Sequence, residues 1–182
     1  MDFGDLILPA VNAVAAALLL NSGIAKTVAA GPSRRAVEEI VPVLDTAVIG
    51  AVLRVAAIAE IAVAAALPVA PLRVPAAIAA LVLGTSFAAL GLLGTVRRSK
   101  APCGCFGTSG KRPLGRLNVL LGLALVAVYP VNAAWPAGAD YPVATLLSTS
   151  VASIALCAYM RRELVIQLLM PERGMPAESE AH

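Results

Sequence analysis

The chain has 182 residues, of which 59% are hydrophobic and only 14% are charged. Soluble domains carry about 25% charged residues, so this composition, with a mean hydropathy of +0.86, excludes an ordinary soluble protein and indicates a membrane protein. The net charge of +3 does not indicate nucleic-acid binding, because the basic residues cluster at the ends of apolar segments, where membrane topology accounts for them.

Five apolar segments have about the 20-residue length that a membrane-spanning helix requires. We therefore predict an all-α, polytopic membrane helical bundle over residues 1–163, followed by a polar, disordered tail over residues 164–182. The start of the chain is acidic, unlike a secretory signal peptide, so we expect the first span to stay in the mature protein. The predicted spans are residues 6–29, 46–67, 74–96, 114–134 and 141–160.

The first span contains polar residues to which we assign structural roles. Asn12 and Asn21 can hydrogen-bond to other spans, and Lys26, near one end, is expected to extend its amine to the membrane interface. Residues 31–33 are predicted to end this helix. Residues 34–44 mix charged and apolar side chains at near-helical spacing, which suits a short interfacial helix, and a solvated loop fits the same pattern.

The second span contains Arg54 and Glu60, the two ionisable residues that cost most to place in a membrane. An ionisable side chain inside a bilayer costs at least about 2.5 kcal/mol and marks a functional site or a buried pair, so neither residue should face lipid. Six residues apart, they lie roughly 120° apart around a helix and cannot simply pair with each other. Each therefore needs a partner on another span or access to water, and a proton relay at Glu60 and a structural hydrogen bond both stay open.

The third span contains a stripe of small residues. Gly84, Ala88 and Gly91 fall on one helix face, where another backbone can approach closely. This stripe predicts helix packing and no functional site.

Two of the three cysteines lie between the third and fourth spans, in the stretch Ala101–Gly107. Cys103 and Cys105 can form a disulfide only in a tight turn, which Gly104 permits because it has no Cβ. So short a loop gains little stability from a disulfide, and a strained, exposed disulfide is reduced easily. The spacing therefore favours a redox-active pair over a structural one.

Basic residues flank this stretch on both sides. Positive charge favours the thiolate, the form that attacks disulfides and binds metals, although basic residues at the end of a span also arise from topology alone. Two thiolates also suit a soft metal such as Cu(I) or Zn. Histidine occurs only at His182, so a four-ligand zinc site would need Cys157, a second subunit or a partner protein. Cys157, in the last turn of the fifth span, is either a third thiol or a small buried residue.

The run Cys103-Gly104-Cys105-Phe106-Gly107, after a third apolar segment, resembles the MauE family of methylamine-utilisation membrane proteins, which is grouped with the DoxX-like redox-associated proteins. The resemblance extends to residues 22–26 and Glu60. It implies a multi-span protein that acts beside a thioredoxin-like partner in maturing the disulfide-rich small subunit of methylamine dehydrogenase. Only Cys103 and Cys105 acquire a chemical role through it, with Gly104, Phe106, Gly107, Glu60, Arg54 and Cys157 as supporting residues.

Charge asymmetry predicts the orientation. With five spans, the side that includes the cysteine stretch carries twelve of the fourteen Lys and Arg residues, against Arg73 on the other side. The positive-inside rule then places the N-terminus outside, and the C-terminus and the cysteines on the cytoplasmic side of the inner membrane. A client that matures outside the cytoplasm conflicts with this orientation, unless the pair takes electrons from cytoplasmic thiols or is reached from both sides.

Three function classes follow from the sequence. The first is thiol-disulfide exchange with a thioredoxin-like partner and a disulfide-bearing client, which would make the chain an oxidoreductase. The second is a soft-metal carrier with Glu60 along the path, and the third is a non-catalytic membrane assembly subunit. We predict no cofactor beyond the cysteine pair, with quinone use and homo-oligomerisation left open, and no nucleotide, haem or Ser-His-Asp motif is present.

Overall fold

The computed structural model describes residues 3–28, 30–99, 115–134 and 143–160, with the backbone alone for residues 3–6, 143–146, 148, 149, 157 and 160. Throughout this part of the chain, every regular element is a helix, as predicted. The six α-helices are α1 (Phe3–Val28), α2 (Ala30–Ile40), α3 (Thr46–Ala66), α4 (Arg73–Val96), α5 (Arg116–Ala134) and α6 (Val143–Met160), and a 3₁₀ turn, Ala70–Leu72, precedes α4.

Four helical segments are long and apolar enough to cross a membrane. At a rise of 1.5 Å per residue, the 21 residues of α3 reach about 31 Å, close to the thickness of a bilayer's hydrocarbon core. A helix, α6, forms where the fifth span is predicted, and the crossing of the membrane by α6 stays a prediction. The four segments are Ile7–Val28, Thr46–Ala66, Ala70–Val96 and Arg116–Ala134.

Helix α1 lies at the centre of the bundle. It packs against α3, α5 and α6, while α4 lies between α3 and α5. In its apolar segment, 61% of the residues are buried, against 28 to 33% in the other three spans. The polar residues of α1 therefore face protein, and Asn12 and Asn21 are both buried, as the sequence predicted.

The helices pack closely because the core is built largely from small side chains. Alanines, leucines and valines from α1, α3, α4 and α5 form one cluster around Phe87, and small residues allow helix backbones to approach each other. The buried members of this cluster are Ala15, Ala16, Leu19, Val63, Ala64, Leu67, Ala76, Ala77, Ala80, Phe87, Leu125 and Val128.

Glycines set the contact between α4 and α5. A Cβ added to Gly122 would lie 2.5 Å from the Gly84 carbonyl oxygen and 2.6 Å from the Ala88 nitrogen, and one added to Gly91 would lie 3.0 Å from the Gly115 carbonyl oxygen. The predicted packing role of the small-residue stripe is therefore confirmed. As the numbering rises along α4 it falls along α5, so the two helices are antiparallel.

The predicted helix end at residues 31–33 is wrong. Helix α1 ends at Val28, and these three residues lie in the first turn and a half of α2. Proline is tolerated there because the first-turn N–H groups have no intrahelical partner. Ser33, Ala36 and Ile40 face the protein, while Arg34 and Glu38 pair on the exposed face at 3.0 Å, so α2 is amphipathic.

Helix α4 ends in a left-handed turn just before the cysteine stretch. Arg98 has a φ of 50°, and the Ser99 and Arg98 amides donate to the Gly94 and Thr95 carbonyl oxygens. This pattern is the Schellman motif, in which the left-handed position usually holds glycine. The Arg97 guanidinium donates to the Ile40 carbonyl oxygen, so the end of α4 is tied to the end of α2.

Candidate functional site

An ion pair lies inside the bundle, between α1 and α3. The Lys26 ammonium is 2.5 Å from Glu60 Oε1, and their side chains are only 4% and 0% exposed. Buried charges are expensive in any protein, and replacing a buried ion pair by apolar side chains is often neutral or stabilising. Since stability alone does not require such a pair, and since ionisable groups within a bilayer mark functional sites by default, this is the candidate site among the described residues.

The two charges are satisfied to different extents. The Lys26 ammonium has three N–H donors. It donates to Glu60 Oε1 and, at 2.7 Å, to Ser22 Oγ, and it lies 4.8 Å from the centroid of the Phe87 ring, within the range of a cation–π interaction. Glu60 Oε2, in contrast, is buried and has no hydrogen-bond partner in the described structure. The cation is fully accommodated, and the anion only in part.

Helix geometry places these groups together. Ser22 and Lys26 are four residues apart on α1 and therefore share one face of that helix. Gly23 lies between them, and a Cβ there would come within 2.7 Å of Ile61 Cγ1 and 3.1 Å of the Ala57 carbonyl oxygen. The absence of a side chain at Gly23 is what lets α1 and α3 approach closely enough for the ion pair.

The pair lies well inside α3. Glu60 is six residues before the end of α3 and fourteen after its start, which corresponds to about 9 Å and about 21 Å along the helix axis. The prediction that Lys26 reaches the membrane interface is therefore wrong. Although Lys26 is in the last turn of α1, that helix ends level with the interior of α3, and the amine turns inward.

The predicted need of Glu60 for a partner on another span is confirmed, and that partner is Lys26. Sequence reasoning missed the pairing because Lys26 was assigned to the interface. The available signal was that, apart from Arg116 at the very start of the fourth span, Lys26 is the one basic residue within another predicted span. It missed Phe87 as well, since nothing in a single sequence distinguishes a ring against an ammonium from a ring in an apolar core.

Arg54 departs from its prediction. It was expected to avoid lipid, but it is exposed on the outer surface of α3, about 12 Å from the start of that helix. The long arginine side chain can extend along the helix toward the membrane surface. Arg54 is not part of the ion-pair site.

A second buried polar contact joins α1 to α5. Asn12 and Asn132 donate to each other through their side-chain amides, at 3.2 and 2.9 Å, and Asn132 also donates to the Val128 carbonyl oxygen at 2.8 Å. Each amide satisfies the other, so this pair links two helices and leaves little polar capacity for a ligand.

The predicted cysteine site lies outside the described residues. This applies to Cys103, Gly104, Cys105, Phe106 and Gly107, and to the polar tail 164–182. Cys157 lies within α6, with its backbone alone described. What the structure shows is that the flanking helices α4 and α5 pack against each other beside the stretch, through Gly91, Gly115 and Asn118. Among the described residues, no group of three or more His, Cys, Asp or Glu side chains could hold a metal.

Comparison with known proteins identifies relatives of this chain. The sequence profile of the family described as methylamine utilisation protein MauE matches residues 5–130, a range that includes the ion pair and the cysteine stretch. The methylamine utilization protein MauE of Paracoccus denitrificans is 42% identical over 90 residues, which cover 49% of this chain and 47% of that protein. The matched region thus spans about half the length of this curated relative. No solved structure matches the chain.

The family profile covers well over half of the chain, and the all-helical fold with four membrane-length helices agrees with a family of multi-pass membrane proteins. This chain therefore belongs to the MauE family.

Proposed function

We propose that this membrane protein supports the maturation of methylamine dehydrogenase, or of another disulfide-bearing client, by thiol-disulfide exchange at Cys103 and Cys105 with a thioredoxin-like partner. The observation that carries the proposal is the Cys103-Gly104-Cys105 spacing, which favours a reducible disulfide. Membership of a family named for methylamine utilisation supports the choice of client.

The surroundings of the cysteine stretch favour exchange with another protein. The stretch connects α4 to α5, whose facing ends are held together by glycine contacts at Gly91 and Gly115. The Schellman turn at Arg98 ends α4 directly before it. The cysteine stretch is thus joined in sequence at both ends to one antiparallel helix pair, a connection that suits presentation to a partner.

The exchange balances with the client dithiol as the reductant and a thioredoxin-like disulfide as the final oxidant. A thiolate of the client attacks the Cys103–Cys105 disulfide, one client–protein disulfide forms and one cysteine leaves as a thiolate. The second client thiolate then displaces the first cysteine, so the client is oxidised and the pair is reduced to a dithiol. A thioredoxin-like disulfide accepts two electrons from that dithiol and restores the pair.

We further propose that the protein lies in the inner membrane with the cysteine stretch on the cytoplasmic side. Twelve of its fourteen Lys and Arg residues fall on that side of a five-span topology, which is the asymmetry that the positive-inside rule requires. In this orientation the pair exchanges electrons with cytoplasmic thiols, and a client that matures outside the cytoplasm requires the pair to be reached from the other side of the membrane as well.

Trapping experiments on native membranes test the thiol chemistry. Cys103→Ser and Cys105→Ser each remove one cysteine of the pair. In the variant that lacks the resolving cysteine, a mixed disulfide with a second protein should accumulate and be detected after acid quenching and alkylation. Cys157→Ser is the matched control and should behave as the wild type.

Each alternative outcome would contradict the proposal. If no thiol-dependent species forms in either variant although both insert into the membrane, the pair does not exchange. A double Cys103→Ser, Cys105→Ser variant that loses only metal tolerance would point to soft-metal transport, and one with full client maturation would point to a non-catalytic assembly subunit.

A further inference from the structure

We propose that Glu60 is a proton-binding site in the interior of the bundle, where the carboxylate takes up one proton on Oε2 and the ammonium of Lys26 stays charged. The inference stands on the described contacts of α1, α3 and α4. It does not depend on the thiol chemistry of the cysteine stretch.

The contacts of the two partners determine which of them changes protonation state. If Glu60 becomes neutral, the Lys26 ammonium keeps the Ser22 hydroxyl at 2.7 Å and the Phe87 ring at 4.8 Å. It also keeps Glu60 Oε1 as a neutral acceptor. The cation therefore remains accommodated when the anion is lost.

The carboxylate has no comparable support. Its Oε2 atom is wholly buried and lacks a donor, and an ionised carboxylate oxygen without a hydrogen bond is costly in an apolar environment. Adding a proton there removes the negative charge at the carboxylate oxygen that has no hydrogen-bond partner in the described structure. The new O–H bond takes its proton from hydronium in the surrounding water, where one O–H bond breaks, and no other bond changes.

Lys26 is the charged group that the described structure places against Glu60. Three elements pack on α3, namely α1, α2 and α4. From α1 the facing charge is Lys26, and from α4 the Phe87 ring lies against the Lys26 ammonium. Helix α3 itself contributes no further facing charge, because Arg54 is exposed on its outer surface. The remaining charged residues of α2 and of the ends of α4 are Arg34, Arg35, Glu38, Glu39, Arg73 and Arg97.

Two of these basic side chains, Arg34 and Arg97, have described contacts with groups other than Glu60. Arg34 pairs with Glu38 on the exposed face of α2, and Arg97 donates to the Ile40 carbonyl oxygen. Arg73 begins α4 and lies fourteen residues before Phe87. Protonation of Glu60 would thus convert the α1–α3 contact from an ion pair into a single cation held by the Ser22 hydroxyl, the Phe87 ring and the neutral Glu60 Oε1.

Infrared difference spectroscopy tests the site directly. The full-length protein in lipid nanodiscs is titrated with acid, and the C=O stretch of a protonated carboxyl group in an apolar environment is followed. The wild type should gain this band as the pH falls. Glu60→Gln should lose it, and Glu38→Gln, the matched control on the exposed face of α2, should keep it.

A second variant tests the direction in which the pH dependence of the carboxyl band shifts. Lys26→Met removes the charge that stabilises the carboxylate, so the band should persist to higher pH than in the wild type. Superimposable wild-type and Glu60→Gln spectra, over the whole range in which circular dichroism shows an intact helical fold, would overturn the proposal.

A chemical readout covers the case in which Glu60→Gln does not fold. A lipid-soluble carbodiimide reacts with protonated carboxyl groups in apolar surroundings, and peptide mass spectrometry of the wild type locates the adduct. Modification of Glu60 that increases as the pH falls supports the proton site. Absence of any Glu60 adduct at every pH overturns it.

Discussion

Replacing the members of the Lys26–Glu60 pair one at a time and together measures how strongly they depend on each other. Both side chains are almost wholly buried, and their nearest N and O atoms are 2.5 Å apart. Removing one partner of a buried pair leaves an uncompensated charge and typically costs about 3 to 5 kcal/mol. We expect Lys26→Met and Glu60→Met each to lower the free energy of unfolding by about 3 kcal/mol, the lower end of that range, because Glu60 can take up a proton and Lys26 keeps Ser22 and Phe87.

The double variant should recover most of the loss. Methionine fills irregular core spaces well, and exchanging a buried pair for apolar side chains is often neutral or stabilising. The double Lys26→Met, Glu60→Met variant should therefore unfold within about 1 kcal/mol of the wild type. The coupling energy between the two positions, which is the sum of the two single losses minus the loss in the double variant, should then reach at least about 5 kcal/mol.

The assay is reversible unfolding in mixed micelles, followed by circular dichroism. Arg34 and Glu38 provide a matched control, because they form an ion pair at 3.0 Å with side chains 43% and 40% exposed. Solvent screens such a pair, and helix pairs at this spacing are worth only about 0.3 to 0.5 kcal/mol. A coupling energy at Lys26–Glu60 no larger than that of the surface pair would refute the buried site.

Three further changes have calculable outcomes in the same unfolding assay. Gly122→Ala should cost about 1 to 3 kcal/mol by overpacking, because its Cβ would lie 2.5 Å from the α4 backbone. The control Gly50→Ala has nothing within 4 Å of its Cβ and should gain up to about 1 kcal/mol of helix propensity. Equal effects at the two sites would contradict the α4–α5 contact. Asn12→Leu should cost about 1 to 3 kcal/mol because it leaves Asn132 short of a buried partner, and the double leucine variant should cost less than Asn12→Leu alone. Arg98→Gly should stabilise the protein by about 1 kcal/mol because its φ of 50° suits glycine, and a loss of stability would contradict the left-handed turn.

Hydropathy and helix periodicity were sufficient to predict most of the fold from the sequence. The long apolar runs predicted the membrane-length helices, because a segment in lipid must satisfy its backbone groups internally and a helix does so. The stripe of Gly84, Ala88 and Gly91 predicted a close contact, since only small residues allow backbones to approach. Which helix fills that contact was not predictable, because the stripe is compatible with any partner that has a small residue of its own.

The sequence predicted that Glu60 needs a partner, but it did not predict the geometry of the ion pair. The cost of a buried carboxylate required a partner for Glu60, and six-residue spacing excluded Arg54. The position of Lys26 along α3 depends on where α1 ends. Pro32 predicted a helix end at residues 31–33, but these residues lie within α2. The inward turn of Lys26 and the outward position of Arg54 both follow from tertiary packing, which the hydrophobic pattern of one helix does not determine.

The redox state of Cys103 and Cys105 in quenched native membranes tests the central claim most directly. Alkylation with reagents of different mass before and after reduction separates free thiols from the disulfide. We predict that the pair is found in both states, and that addition of an oxidised thioredoxin-like protein shifts it toward the disulfide. Two cysteines that stay free, or stay joined, under every oxidising and reducing condition would contradict the account.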